Sequence, residues 1–316
     1  MTRYLIRRTF WAVWLFFVAT FITYVIFFLI PSSPGRITGF GFAVSPVQAA
    51  SINSQWHLDV PAYQQYWIFV WNIIRHQSLG YSFQNGASVR WILAQDARVT
   101  GSVVLGSAVL WILISLPVGI LSALRPRSLF DRFAMGFALV GVSTPVFFLG
   151  LVFLYVFWFK LHIASGSGYA SIGQGIPTWL NHLIMPWVVL ALLFAAFYAW
   201  MVRGNLIETM GEDYIRTARA KGISERQVVM KHGLRASLTP VVTMFGMDLG
   251  TLLGGAIITE TVFNLQGLGQ YAVQSVTSGD LYAILDITVI AAFFITISNL
   301  VVDIVYAYLD PRVRYA

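Results

Sequence analysis

The sequence predicts an all-α membrane protein that crosses the bilayer six times, on three observations. Its 316 residues are 58% hydrophobic and only 10% charged, with a mean hydropathy of +0.73, and a soluble domain carries far more charge than that. Six apolar stretches reach or approach the roughly 20 residues a helix needs to cross a hydrocarbon core about 30 Å thick. The Lys and Arg residues gather in alternate loops between those stretches, which is the pattern of membrane orientation and not of a nucleic-acid patch, despite a net charge of +7.

The stretches cover residues 9–30, 99–124, 133–159, 183–202, 241–258 and 283–309. The first four hold no ionisable acid or base, whereas the fifth and sixth carry Asp248, Asp286 and Asp303. Pro117, Pro145 and Pro186 fall inside spans, which membrane helices tolerate where neighbours re-satisfy the freed backbone groups. Of the 20 Lys and Arg residues, 15 lie on one side of the alternation and 5 (Arg36, Arg75, Arg90, Arg98 and Lys160) on the other. The richer side is cytoplasmic, so both termini are expected in the cytoplasm.

Arg3, Arg7 and Arg8 ahead of an apolar run, with Val47-Gln48-Ala49-Ala50 downstream, have the look of a secretory signal. The run is too long for a signal core, and the small-residue site lies 17 residues beyond Ile30, so a retained helix is expected. The chain then divides into residues 1–30 (tail and first span), 31–98 (an extracytoplasmic helical subdomain) and 99–316 (a core of five spans with a polar loop at 203–239). In the subdomain, Ser32-Ser33-Pro34-Gly35 reads as a turn. Asp59 can cap a helix with Pro61 in its first turn, followed by Tyr63, Tyr66, Trp67, Val70, Ile73 and Ile74 at helical spacing. That aromatic face suits a cap lying on the bilayer, and equally a dock for a substrate-delivery protein.

Several chemistries are excluded. With no cysteine there is no disulfide or thiolate metal site, and His57, His76, His162, His182 and His232 have no metal-ligand spacing. The only lysines are Lys160, Lys221 and Lys231, and none sits in a phosphate-cradling Gly-Lys-Ser/Thr loop. If ATP drives this protein, another chain hydrolyses it. No hydrolase serine or zinc-protease helix is present. Asp248 and Asp286 lack the flanking residues of an intramembrane aspartyl protease.

The intramembrane acids are expensive in hydrocarbon and so are functional candidates. Asp248 lies in mid-span, offset by two residues from Gly246 and Gly250, which with Gly254 form a four-residue stripe for close helix packing. Two readings stay open for it: a group lining the pathway, or a hydrogen-bonded packing residue. Asp286 lies one turn inside the sixth span, and Asp303 near its end is read as structural. Gly254-Gly255, ahead of Glu260, and Gly267-Leu268-Gly269 permit a tight re-entrant backbone at membrane depth, with Glu260 beside an external gate.

The polar loop holds Glu212-Asp213-Tyr214-Ile215-Arg216-Thr217-Ala218-Arg219-Ala220-Lys221-Gly222-Ile223-Ser224-Glu225-Arg226, then Lys231-His232-Gly233-Leu234-Arg235 up to Pro240. It reads as a basic helix punctuated by Gly222 and a second one after it. This loop resembles the coupling loop of ABC importer permeases, whose Glu-Ala-Ala, three residues, Gly pattern falls here on Arg216-Thr217-Ala218 and Gly222. The wording Asp-Tyr-Ile-Arg-Thr-Ala-Arg-Ala-Lys-Gly is similar to the dipeptide/oligopeptide branch, and Arg216 in the acidic position and Leu234-Arg235 in place of Leu-Pro also favour that branch. Leu79-Gly80-Tyr81-Ser82, Gly86 to Val89, Gly254 to Gly269 (with Gln266 where the family has proline), Asn299 to Asp303 and Asp310-Pro311-Arg312 extend the resemblance over nearly the whole chain.

The resemblance implies the type I ABC importer permease fold and a B-type permease subunit. It also implies a homologous second permease, two cytoplasmic ATPases or one fused chain that bind ATP and Mg, and an extracytoplasmic substrate-binding protein. No cofactor is expected in this chain, and no nucleic-acid partner; lipid surrounds it. Coupling to the ATPases is expected through Asp213, Arg216, Thr217, Ala218, Arg219, Lys221 and Gly222. Thr217, Ala218 and Gly222 would permit close approach, and Arg219 and Lys221 would meet acidic ATPase surface. Asp248, Glu260 and Asp286 are expected along the pathway or its gate. Nickel, glutathione and antimicrobial-peptide importers share the loop motifs. An ion-coupled secondary transporter predicts inverted repeats and broken helices and leaves the loop unexplained.

Overall fold

The computed structural model describes residues 2–26, 60–76, 82, 88–278 and 280–309, and among them every regular element is helical. In chain order these are α1 (Thr2–Tyr24), α2 (Ala62–Trp71), α3 (Val89–Leu124), α4 (Leu129–Ser143), α5 (Val146–Phe153), α6 (Ile176–Met210), α7 (Asp213–Ala220), α8 (Glu225–Gln227), α9 (Leu234–Ser237), α10 (Thr239–Val262), α11 (Leu268–Ser278) and α12 (Leu281–Leu309). Among the described residues four helices are long and apolar enough to cross a membrane, and six spans result if each of two bent pairs counts as one. Val47 to Ala50, the Ser32 turn, Asp59, Leu79 to Tyr81, Gly86 and Asp310-Pro311-Arg312 lie outside the described residues.

The expected spans at 99–124, 183–202 and 283–309 fall inside α3, α6 and α12. α3 starts earlier, at Val89, because Arg90, Asp96 and Arg98 occupy helical turns that protrude from the apolar run. The third expected span, 133–159, is not one helix. It is α4 followed by α5 and the π-helical turns Leu154–Lys160, bent by 107°. The cause is local: Thr144 takes an extended backbone (φ −90°, ψ 125°) ahead of Pro145, as the proline ring demands of its predecessor, and Pro145 has no N–H to continue the ladder. The glycines expected to permit a re-entrant backbone lie at a second bend. Helix α10 carries on through Gly254-Gly255 to Val262, with a 47° bend between Leu252 and Ala256, so the glycines bend a helix instead of ending it.

The chain forms two compact units: residues 1–100 with 266–300, and residues 101–265 with 301–316. In the first, α2 lies on α1. The Tyr24 hydroxyl donates to Gln65 Oε1 at 2.7 Å, and Phe21 meets the Tyr66 ring edge-on. Helix α2 begins after Pro61, with no side-chain cap. Tyr63 and Trp67 stay exposed on its outer face. Val89 and Leu93 of α3 pack with Leu268 of α11 and Ile287 of α12, and the Leu268 amide donates to Thr100 Oγ1 at 2.8 Å.

In the second unit α6 is the central element, packing against α4, α5 and α10. Trp111, Phe194, Tyr198 and Phe245 form an aromatic centre with ring centroids 4.4 to 4.9 Å from Trp111, each pair worth about 1 kcal/mol beyond area burial. Trp187 Nε1 donates to the Ser102 carbonyl at 2.9 Å. Its ring lies over Gly106, where an added Cβ would be 2.0 Å from a ring carbon, so only glycine fits. Lipid tails are as apolar as leucine, so such packing and hydrogen bonds hold these helices together.

Candidate coupling segment and intramembrane acids

Helix α7 is amphipathic over two turns. Ile215 and Ala218, three residues apart and hence on one face, are buried with Val228 against Met210 and Ile223. The opposite face exposes Asp213, Arg216, Thr217, Arg219 and Lys221. Asp213 in the first turn and Arg219 in the last suit the helix dipole.

The helix stops in a Schellman motif. Gly222 N–H donates to the Arg219 carbonyl at 2.9 Å, and Ile223 N–H to the Ala218 carbonyl at 3.4 Å. Gly222 has φ +73°, a left-handed backbone that glycine adopts without strain. Ile223 turns back onto the buried cluster containing Ala218, the apolar contact that accompanies the motif. Two ion pairs decorate the outer surface. Arg216 meets Asp213 at 3.3 Å, and Arg219 forks onto Glu225 through Nε at 3.0 Å and Nη2 at 2.7 Å. The hydrogen bonds from Arg219 hold the Glu225 carboxyl below the usual carboxylate range. Both pairs are exposed and add little stability.

The expected docking residues therefore divide. Arg216, Thr217, Lys221 and Gly222 stand outward. Ala218 does not: its methyl group packs inward because it follows Ile215 by three residues. Arg219 is outward but already engaged by Glu225. A charged pair that lines a pocket beside α4 and α6 carries no sequence signal as a pair. Asp131, buried in the first turn of α4, receives Arg203 of α6 in a bidentate pair at 2.6 and 2.9 Å, plus the Arg127 amide at 2.8 Å. Its own amide donates to the Ser128 cap at 3.2 Å. The Ser-x-x-Asp spacing signals that cap, but nothing in the sequence signals Arg203, 72 residues away.

The acids of the spans have different surroundings. Asp248 of α10 accepts a 2.6 Å hydrogen bond from the Tyr198 hydroxyl of α6 and is half-buried. Glu260, roughly three turns further along the same helix, is fully buried, and its carbonyl accepts from Leu265 N–H at 2.8 Å. Asp286 of α12 belongs to the other unit. It is fully buried, and neither carboxylate oxygen has a hydrogen-bond partner among the described residues. Gly246 and Gly250 are buried on α10, and Gly254 lies at its bend. Asp303 lies on α12.

The comparisons agree with one another. Residues 1–104 match the N-terminal region, and residues 115–315 the main region, of the binding-protein-dependent transport system inner membrane component. The dipeptide transport system permease protein DppB of Escherichia coli is 32% identical over 341 residues, covering 100% of this chain and 99% of that protein. A putative peptide transport system permease protein of Brucella abortus, BAB2_1050, is 33% identical over 315 residues, covering 100% of both. The probable peptide ABC transporter permease protein y4tP of Sinorhizobium fredii is 30% identical over 312 residues, covering 99% of both. Among solved structures, a chain of the MetNI methionine ABC transporter in an inward-facing form superposes with a TM-score of 0.57 at 22% identity, covering 70% of this chain and 97% of that one, which shows a shared fold. This multi-pass, all-helical chain belongs to the binding-protein-dependent transport system inner membrane component family and has the ABC importer permease fold.

Proposed function

We propose that this chain is the transmembrane permease subunit of an ATP-driven importer of di- and oligopeptides, seated in the bacterial inner membrane with both termini cytoplasmic. It forms half of the translocation pathway. The other half is a homologous permease; two ATPase subunits, or one fused chain, bind ATP and Mg and hydrolyse the nucleotide; an extracytoplasmic binding protein delivers the peptide. Residues 31–98 form the extracytoplasmic subdomain on which delivery takes place. Closure of the ATPases moves α7, and the pathway alternates its access.

The observation that carries this reading is the construction of α7. A short helix is seated on its own apolar cluster through Ile215 and Ala218 and stopped by Gly222 at φ +73°. It shows Arg216, Thr217 and Lys221 outward. Such a rigid, basic, solvent-facing element between two membrane helices is suited to receive force from a docked partner. The relatives, which are described as dipeptide and peptide transport permeases, supply the substrate class. The test is reconstitution of the complete complex with its binding protein in vesicles. Peptide accumulation should require ATP, the binding protein and this chain together. Accumulation that persists without ATP, driven by an ion gradient, would overturn the proposal.

A further inference from the structure

Four glutamines converge on one pocket in the first compact unit. Gln270 and Gln274 lie one turn apart on α11, Gln266 lies two residues before the start of that helix, and Gln95 comes from α3. The pocket has a volume of about 390 Å³, and Trp91, Asp96 and Tyr271 complete its polar and aromatic wall. That size lies within the usual range of small-molecule sites, about 300–1,000 Å³. Its lining differs from the ordinary apolar one, because carboxamides dominate it. Gln95, Gln266 and Gln274 are exposed, so they are not consumed in a core. Asp96 is the only charged residue among those lining the pocket.

We propose that this pocket is a side-chain-independent capture site for the backbone of an extended peptide. The inference rests on the peptide reading above and deepens it. A glutamine carboxamide offers both a donor and an acceptor, the same pair that one edge of an extended peptide offers at every second residue. Successive helical turns place Gln270 and Gln274 about 6 Å apart along the axis. An extended chain repeats along one edge about every 6.6 Å. The two periods are close enough for Gln270 and Gln274 to address alternate peptide residues, and Gln266, in the loop ahead of the helix, lines the same pocket. Trp91 is exposed at the pocket and offers a flat apolar face to whichever side chain points its way. A transporter that must accept many side chains gains from reading the one part all peptides share.

This arrangement predicts a dependence on length. Longer peptides meet more glutamines than a dipeptide does. The test uses the reconstituted complex with alanine peptides of two to five residues and with a tetrapeptide N-methylated at its third residue. Gln266→Leu and Gln274→Leu, separately and together, should lower accumulation of tetra-alanine about tenfold and leave dialanine within about twofold. N-methylation should lower uptake by the unaltered complex, yet cost the double variant nothing further. Because the chain has no cysteine, Gln274→Cys also gives a direct readout: it should cross-link a bromoacetyl-labelled tetrapeptide, and excess tetra-alanine should block the reaction. Variants that handle every length and the N-methylated peptide like the unaltered complex, with no cross-link, overturn the capture site alone. Absence of ATP-driven peptide accumulation by the unaltered complex overturns the peptide reading and the capture site together.

Discussion

The Tyr198 hydroxyl donates a 2.6 Å hydrogen bond to the Asp248 carboxylate, tying α6 to α10 across 50 residues of sequence. The Tyr198 ring is fully buried and meets Trp111 edge-on at 4.4 Å, so the aromatic centre fixes the hydroxyl's position. This geometry gives Asp248 a structural partner and leaves its half-exposed carboxylate able to face a second group.

The two roles of Asp248 separate by substitution. Tyr198→Phe removes only the interhelical bond and should lower the stability of the solubilised complex by about 1 kcal/mol. Asp248→Asn keeps the shape and an acceptor, and should be equally mild in stability. If Asp248 also lines the pathway, the asparagine variant loses uptake of peptides with free amino termini while basal ATP hydrolysis persists. Thermal unfolding, accumulation and phosphate release measured on both variants decide this. Unchanged accumulation by Asp248→Asn reduces Asp248 to a packing residue.

The Asp131–Arg203 pair offers a cleaner energetic test. Asp131 is 4% exposed in its side chain and Arg203 24%, so truncating either leaves a poorly solvated charge. Asp131→Ala or Arg203→Ala alone should cost about 3 kcal/mol. The double variant should lose clearly less than the sum of the two, because the orphaned charge is gone. Arg203→Lys should not restore the pair fully, since an ammonium lacks the two-pronged geometry. Additive losses in denaturation midpoints would show that the two side chains are not coupled.

Gly222 combines a backbone requirement with a place on the proposed docking surface, and three substitutions sort them. An added Cβ meets nothing within 4 Å, so the cost of Gly222→Ala is conformational, about 1 kcal/mol from the left-handed backbone. Gly222→Asn should be milder, since asparagine tolerates that region. Gly222→Trp should leave assembly with the sister permease intact and abolish ATP-driven uptake. Normal uptake by the tryptophan variant at normal abundance would refute α7 as the transmission element.

Orientation is accessible because the chain lacks cysteine. Cysteines introduced at the exposed positions Ser171 and Thr277 should react with an impermeant maleimide added outside intact cells. One at the exposed position Ser224 should react only after permeabilisation. Outside labelling of position 224 would invert the membrane topology and remove α7 from the ATPase side.

The apolar spans and the basic loop that holds α7 were legible in the sequence, and the loop charges set the sidedness expectation, for a physical reason. Hydrocarbon demands continuous apolar runs with every backbone group paired internally, and loop charge reports orientation, so both signals are local. Gly222 as a helix stop is local too. The 107° bend was half legible. Pro145 marks the place, but only the surrounding helices decide whether a proline bends a span gently or folds it back. Whether Ala218 faced a partner or its own chain depended on Val228, which a further turn of structure brings beneath it. The bonds Tyr198–Asp248 and Arg203–Asp131 join residues 50 and 72 apart, and the glutamine pocket joins α3 to α11. Such contacts leave no periodicity in the sequence. They exist because helix packing brings particular faces together, and that packing was decided by the tertiary structure alone.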